Sequence, residues 1–323
     1  MLSRVAEAIY WMNRYVERAE NVARFIDVNL YLHLDAASFA APQWQPLVSV
    51  TGDNALFQEL YSASNRENVI RFLTLDYRNP NSIVSCLRAA RENARSVREV
   101  ISSEMWEQIN RFYLEVNSAD ADGVLGREPY AFFSGIKSNA HLLNGITEAT
   151  MTHGEAWHFG RLGRMIERAD KTSRILDVKY FLLLPSAADV GTPFDNIQWM
   201  AVLKSASALE MYRKVWGRIV PAHVVEFLVM DKHFPRAIYY AIVAAERSLR
   251  RITGLPEDHY QTLLDKKVGK LRSELHYADI SEIIRGGLHE FLDEYEARLN
   301  AIDLALQEDI FRARPAGTDG EPI

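Results

Sequence analysis

Apolar residues in the opening segment fall at Met12, Tyr15, Val16, Ala19, Val22, Ala23, Ile26 and Leu30, the three-and-four spacing of an amphipathic helix. The same rhythm predicts helices over 3–35, 54–75, 80–116, 129–153, 155–184, 196–216, 222–230, 235–253, 257–275 and 279–312. Turn signals such as APQWQP, RNPN, ADADG, LPSAADVGTP and TGLPED separate them. Strand-like alternation is nearly absent, so the expected class is all-α, a helical bundle.

The polar positions carry a second pattern. RYVERAENVARFIDV, residues 14–28, returns as RMIERADKTSRILDV at 164–178. Arg14, Glu17, Arg18, Ala19, Arg24, Asp27 and Val28 recur as Arg164, Glu167, Arg168, Ala169, Arg174, Asp177 and Val178, and Asp170 answers Glu20. Further along, Gln43 and Trp44 return as Gln198 and Trp199, and FLTLDYRNPNSI at 72–83 returns as FLVMDKHFPRAI at 227–238, pairing Asp76 with Asp231 and Pro80 with Pro235. The offset is 150 at the first match and 155 afterwards, which one insertion between residues 31 and 43 explains. The expected organisation is therefore two pseudo-repeated helical units, 1–150 and 151–312, followed by a disordered Pro- and Gly-containing tail at 313–323. Proline suits a first helical turn, so Pro80 and Pro235 are expected to start equivalent helices, with the preceding aspartates capping or anchoring the corner.

On a helical wheel Arg14, Glu17, Arg18 and Asn21 lie opposite the apolar stripe, while Glu20, Arg24 and Asp27 run along one flank. Glu20 to Arg24 and Asp170 to Arg174 have the favourable order four residues apart, worth about 0.3–0.5 kcal/mol each if exposed. That is too little to explain duplication of the pattern. Two readings stand: a salt-bridge lattice clamping this helix to its neighbours, or a binding surface of paired arginines and carboxylates. The candidate residues are Arg14, Glu17, Arg18, Glu20, Arg24, Arg164, Glu167, Arg168, Asp170 and Arg174. Arg88, Arg91, Arg95 and Arg98 line one face of a further helix and could seat phosphate or carboxylate, although Glu92 and Glu99 neutralise part of their field. No aromatics interleave with them in sequence, which argues against a nucleic-acid stacking surface.

Composition narrows the classes. In 323 residues, 48% are hydrophobic and 25% charged, and the net charge of -6 argues against a general nucleic-acid coat. Arginine outnumbers lysine 28 to 9, with no lysine before residue 137. The only cysteine, Cys86, excludes an internal disulfide and fits a reducing compartment, so a cytoplasmic location is expected. No apolar run approaches the roughly 18–20 residues that cross a bilayer, and the charged opening segment reads as structure rather than as an address. Walker, G-x-S-x-G, dinucleotide and paired-cysteine signatures are missing. Glu155 and His158 form one Glu-x-x-His pair, but a di-iron bundle needs two. The pair reads as a polar patch around Trp157, and no metal or cofactor is expected.

The segments LSRVAEAIYWMNRYVERAENVAR, ARENARSVREVISSEMWEQIN and WHFGRLGRMIERADKTSRIL, in that order, resemble the bacterial alpha-E family, formerly a domain of unknown function. The match spans nearly the whole chain. The resemblance implies a helical protein encoded beside, or fused to, circularly permuted ATP-grasp ligases, often with transglutaminase-like peptidases. The expected function is thus an accessory helical protein that works with an ATP-grasp amide ligase in peptide or peptide-tag synthesis, through the duplicated Arg/Glu surface. The alternatives are an enzyme acting on a peptide or amide with Glu17 or Glu167 as general base, and a purely structural oligomer. The resemblance supplies no catalytic residues.

Overall fold

The computed structural model describes residues 1–35, 44–119, 124–126, 129–182, 193–256 and 259–312; the expected disordered tail lies outside them. Every regular element among these residues is helical, as the periodicity predicts. In chain order they are α1 (Ser3–Asp35), α2 (Gln45–Thr51), α3 (Asn54–Leu60), α4 (Arg66–Thr74), α5 (Ile83–Ser96), α6 (Ser103–Asn117) and α7 (Pro129–Thr150). Then come α8 (Glu155–Leu182), α9 (Pro193–Ser205), α10 (Leu209–Trp216), α11 (Pro221–Met230), α12 (Ile238–Thr253), α13 (Leu263–Tyr277), α14 (Ile280–Gly286) and α15 (Leu288–Leu306), with a closing π-turn over Gln307–Phe311.

Local chemistry breaks several of the longer predicted helices. The run 80–116 splits because the Ser102 hydroxyl caps the amide of Met105 (3.1 Å) and starts α6. The run 196–216 splits at Ser207, whose φ is +50°, and 279–312 splits at Gly287, whose φ is +104°. Helix α2, with Pro46 in its first turn, falls in a stretch without a predicted element. Pro80 and Pro235 do not start helices. Each sits in the corner three residues before its helix, whose first residues are Ile83 and Ile238. The aspartates anchor those corners as expected: Asp76 accepts from the Arg78 amide (2.9 Å) and the Tyr61 hydroxyl (2.7 Å), and Asp231 from the amides of His233 (2.8 Å) and Phe234 (2.6 Å).

The long helices α1 and α8 pack against each other at the centre. Helices α5 and α7 lie on α1 as α12 and α15 lie on α8; α6 touches α5 and α7 as α13 touches α12 and α15. The short helices cross over, α2 packing on α8 and α9 on α1. Two glycines let the central pair approach: a Cβ on Gly163 would overlap the Tyr10 carbonyl oxygen, and one on Gly160 would come within 2.7 Å of the Asn13 side chain. One hydrophobic core runs without interruption from Val5 to Phe311 and includes both Trp44 and Trp199. It holds the lone Cys86, whose thiol burial pushes up to about 12.

Candidate functional site

The charged side of α1 is turned away from that helix's apolar stripe, but not toward water. It faces α8, and Glu17, Glu20 and Glu167 are buried there at 1% exposure or less. Arg18 donates through Nε and Nη2 to both oxygens of Glu167 (2.7 and 2.9 Å), and Arg168 does the same to Glu17 (2.8 and 2.8 Å). Neither arginine serves the glutamate beside it in sequence. Each Glu-Arg dipeptide grips the other through a planar fork, the strongest geometry available to this pair of side chains.

The exchange continues outward. Arg14 donates to Glu167 (2.8 Å) and to Asp303 on α15, while Arg164 donates to Glu148 on α7 (3.2 Å) and to Asn144 (2.6 Å). Arg14 and Arg164 are 150 apart, and Glu148 and Asp303 are 155 apart, so these contacts follow the same two sequence offsets as the duplicated motifs. On the flanks, Arg24 binds Glu20 (Nε to Oε1, 3.0 Å) and Arg174 binds Asp170 (Nε to Oδ1, 3.0 Å). Nine of the ten residues that the duplicated segment singles out therefore fall into two matched networks packed side by side in one charged lattice, one about Glu17 and one about Glu167, and the tenth, Arg164, is bound to α7.

Further members carry less obvious signals. Arg236 enters from the corner before α12 and donates to Glu20 (2.7 Å) and Asn21 (3.1 Å), and Asn81 accepts from Arg18 (2.7 Å). Both directly follow the repeated prolines, at the shared offset of 155, which is the clue that could have found them. Lys171 stands where the first copy has Asn21 and binds Asp170 (2.9 Å). His141 lies 3.0 Å from Glu20 Oε1, and Glu296 lies 3.2 Å from Arg174. These two and Asp303 are distant in sequence and have no motif of their own.

Burial alone would raise the Glu167 carboxyl, but Arg18, Lys171 and Arg14 outweigh it and hold it well below the usual carboxylate range. Glu17 is likewise lowered, with Arg168 and Arg236 overcoming burial and the like charge of Glu20. Glu296 goes the other way: burial prevails over Arg174 and raises it to about 7. The lattice is not fully satisfied, since Oε2 of Glu20 and Nε of Arg164 are buried without hydrogen-bond partners.

The other arginine stripe is separate. Arg91 binds Asn110 (2.7 Å) and Glu92 (2.9 Å), Arg95 binds Glu92 (2.5 Å), and none of Arg88, Arg91 or Arg95 bonds to the lattice. The absence of interleaved aromatics holds only along the sequence. In space Tyr77 stacks under Arg88, and Trp106 and Tyr113 lie under Arg91, so the ring faces are covered by guanidinium groups. The Glu-x-x-His pair is split: Glu155 binds the terminal amine of Met1 (2.9 Å), and His158 meets Trp157 edge-on, beside the stacked His153. Asp177, His289 and Asp293 do come together with ligating atoms within 4.8 Å. However, Nδ1 of His289 faces Asp177 (2.6 Å) and Nε2 faces Asp293 (3.4 Å). One ring uses opposite edges for two carboxylates, a hydrogen-bonded ion pair rather than a convergent ligand set.

A family model described as a predicted alpha-helical domain with a conserved ER motif matches residues 1–311. The chain belongs to the Alpha-E family. In this member, the two buried Glu-Arg dipeptides at 17–18 and 167–168 grip each other across the centre of the fold. Similar curated proteins are an uncharacterised protein of Mycobacterium bovis, 25% identical, and two of Mycobacterium tuberculosis, 25% and 24% identical. Each alignment covers 92% of this chain and 35% of the relative, so the chain spans about a third of the length of the curated relatives it matches. No solved structure matches. Among the described residues no helix is long and apolar enough to cross a membrane.

Proposed function

We propose that this Alpha-E chain is an accessory helical module that works with an ATP-grasp amide ligase in peptide or peptide-tag synthesis, presenting a peptide or docking the ligase. The observation that carries the accessory part of this reading is the reciprocal saturation of the Glu-Arg dipeptides. A general base needs a carboxylate that can reach a substrate proton and whose basicity suits neutral pH. Glu17 and Glu167 are buried, each gripped through both oxygens by an arginine, and both are held below the usual range. The alternative of an enzyme that uses them as bases loses its chemistry. The central charges Glu17, Arg18, Glu167 and Arg168 serve as an internal clamp, so any peptide or partner surface lies away from these four. The relatives add support, since there the matched region is one segment of a longer chain. The ligase itself, and the peptidase as a second partner, come from the family resemblance.

The test is reconstitution. The purified protein, a circularly permuted ATP-grasp ligase from the same genome, ATP and candidate peptides are combined, and each protein is also assayed alone. Amide product and ADP should require the ligase and rise when this protein is added. Product formation by this protein without the ligase would contradict the reading, as would a ligase indifferent to it.

A further inference from the structure

At one edge the lattice opens on a groove of about 340 Å³ between α1, α7 and the α9–α10 junction, with Arg24, Asp27, Lys137, Lys204, Ser207 and Glu210 on its walls. That is near the lower end of pockets that hold small ligands, about 300–1,000 Å³. Its central guanidinium, Arg24, is 7% exposed and fixed from three sides by Glu20, His141 and Ser207.

The two copies of the repeated arginine are completed differently. Arg174 takes a carboxylate from its own helix, Asp170, and a second from α15, Glu296, which also accepts from the Ser173 hydroxyl (3.1 Å). The position 155 residues before Glu296 is His141, which brings an imidazole to Arg24 instead. Among the described residues Arg24 has the carboxylate of Glu20 and no second one, and it lines the groove. Ser207 gives a second, independent sign. Its φ of +50° makes it the only non-glycine with positive φ among the described residues, and the position 155 earlier is Gly52, φ +80°. Both residues close a helix in the left-handed region, the Ser207 amide donating to the Lys204 carbonyl (2.9 Å) and that of Ala208 to Leu203 (2.7 Å), and a side chain there costs of order 1 kcal/mol that glycine avoids. Here it places a hydroxyl against Arg24. Among the described residues, neither Lys204 nor Glu210 has an ion-pair partner, whereas Lys137 is bound to Asp27.

We propose that the groove binds the carboxylate end of a peptide. The carboxylate lies against Arg24, Lys204 and the Ser207 hydroxyl, and Glu210 accepts an N–H from the chain. The site supplies from outside what Glu296 supplies to Arg174 from within. This rests on the reading of the protein as a peptide-handling module and names the site that would do the handling.

The test uses the full chain and a pool of tripeptides, once as free acids and once as C-terminal amides, with retention in equilibrium dialysis read by mass spectrometry. Acids should be retained about tenfold more than amides, the effect of one charge-assisted contact. Lys204→Met and Ser207→Gly should each abolish that preference. Lys204 is exposed and unpaired, and glycine suits the backbone at 207, so both variants should fold, with unchanged or higher urea midpoints. Equal retention of acids and amides overturns the proposal, as does a preference that survives both variants. Binding of inorganic phosphate with the same variant sensitivity, but of no peptide acid, overturns it in favour of a simple anion site. Ligase stimulation separates the two levels. If wild-type protein stimulates the ligase but retains acids and amides equally, the groove alone fails; if wild-type protein gives no stimulation, the functional reading fails and the dialysis result still decides the groove.

Discussion

Glu167 has Arg14, Arg18 and Lys171 within reach and almost no water, so removing one cation changes its balance differently from breaking a surface pair. Arg18→Ala and Arg168→Ala should each cost about 3–5 kcal/mol in urea unfolding, because a buried carboxylate loses its bidentate partner. A loss below about 1 kcal/mol, the exposed-pair value, would place these groups on an open surface. The pH dependence follows from the directions of the shifts. Glu17, Glu20 and Glu167 are lowered in the fold, so their contribution is present above the unfolded value of about 4.3 and is lost as pH falls through the lower folded values. Glu296 is raised to about 7, so its contribution is full at low pH and is lost as pH rises toward and through that value. Glu296→Gln, which keeps the shape of the neutral acid, should therefore have a higher urea midpoint than wild type at pH 8 and no advantage at pH 4. The reverse order would show that Arg174 dominates. The candidates Arg14 through Arg174 were legible because charges rarely repeat in register without a shared environment. His141, Glu296 and Asp303 were not, since only packing brings α7 and α15 over the flanks.

Helices α1 and α8 show what the pattern of apolar positions can and cannot predict. Their existence and extent follow from the 3.6-residue period, and the charged face was correctly placed opposite the apolar stripe. That this face meets a second helix, rather than solvent, is a tertiary fact that one helical wheel does not contain. The breaks at Ser102, Ser207 and Gly287 were hidden for a related reason: good helix-forming neighbours keep the period running across a cap or a single left-handed residue. The contact between the two helices carries its own prediction. In an ordinary helix interior, Gly→Ala is favourable by about 1 kcal/mol. At Gly163 the added methyl overlaps the Tyr10 carbonyl and would wedge the Glu-Arg pairs apart. Gly163→Ala should lower the urea midpoint, with an overpacking cost of about 1–3 kcal/mol outweighing propensity. A raised midpoint would mean that the helices do not approach so closely.

At the scale of the molecule, the contacts of the two halves run in parallel, and the central pairs are exchanged between them. We propose that 1–150 and 151–312 are copies related by a local twofold passing between α1 and α8, as isologous surfaces are in dimers. Superposing 1–100 on 151–255 should lay Trp44 on Trp199 and Asp76 on Asp231 with the same helix directions. A fragment of residues 1–150 lacks Arg168 and Arg236 for its buried Glu17 and Glu20, so it should not be a folded monomer by sedimentation and circular dichroism. The most direct measurement is a pair of double-mutant cycles in urea, Glu17→Gln with Arg168→Ala and Glu17→Gln with Arg18→Ala. The cross-helix cycle should give a coupling of about 1–3 kcal/mol and the neighbouring pair less than about 0.5 kcal/mol, because Glu17 is held by the distant arginine and not by the one beside it. Equal couplings, or a larger one to Arg18, would contradict the reciprocal clamp.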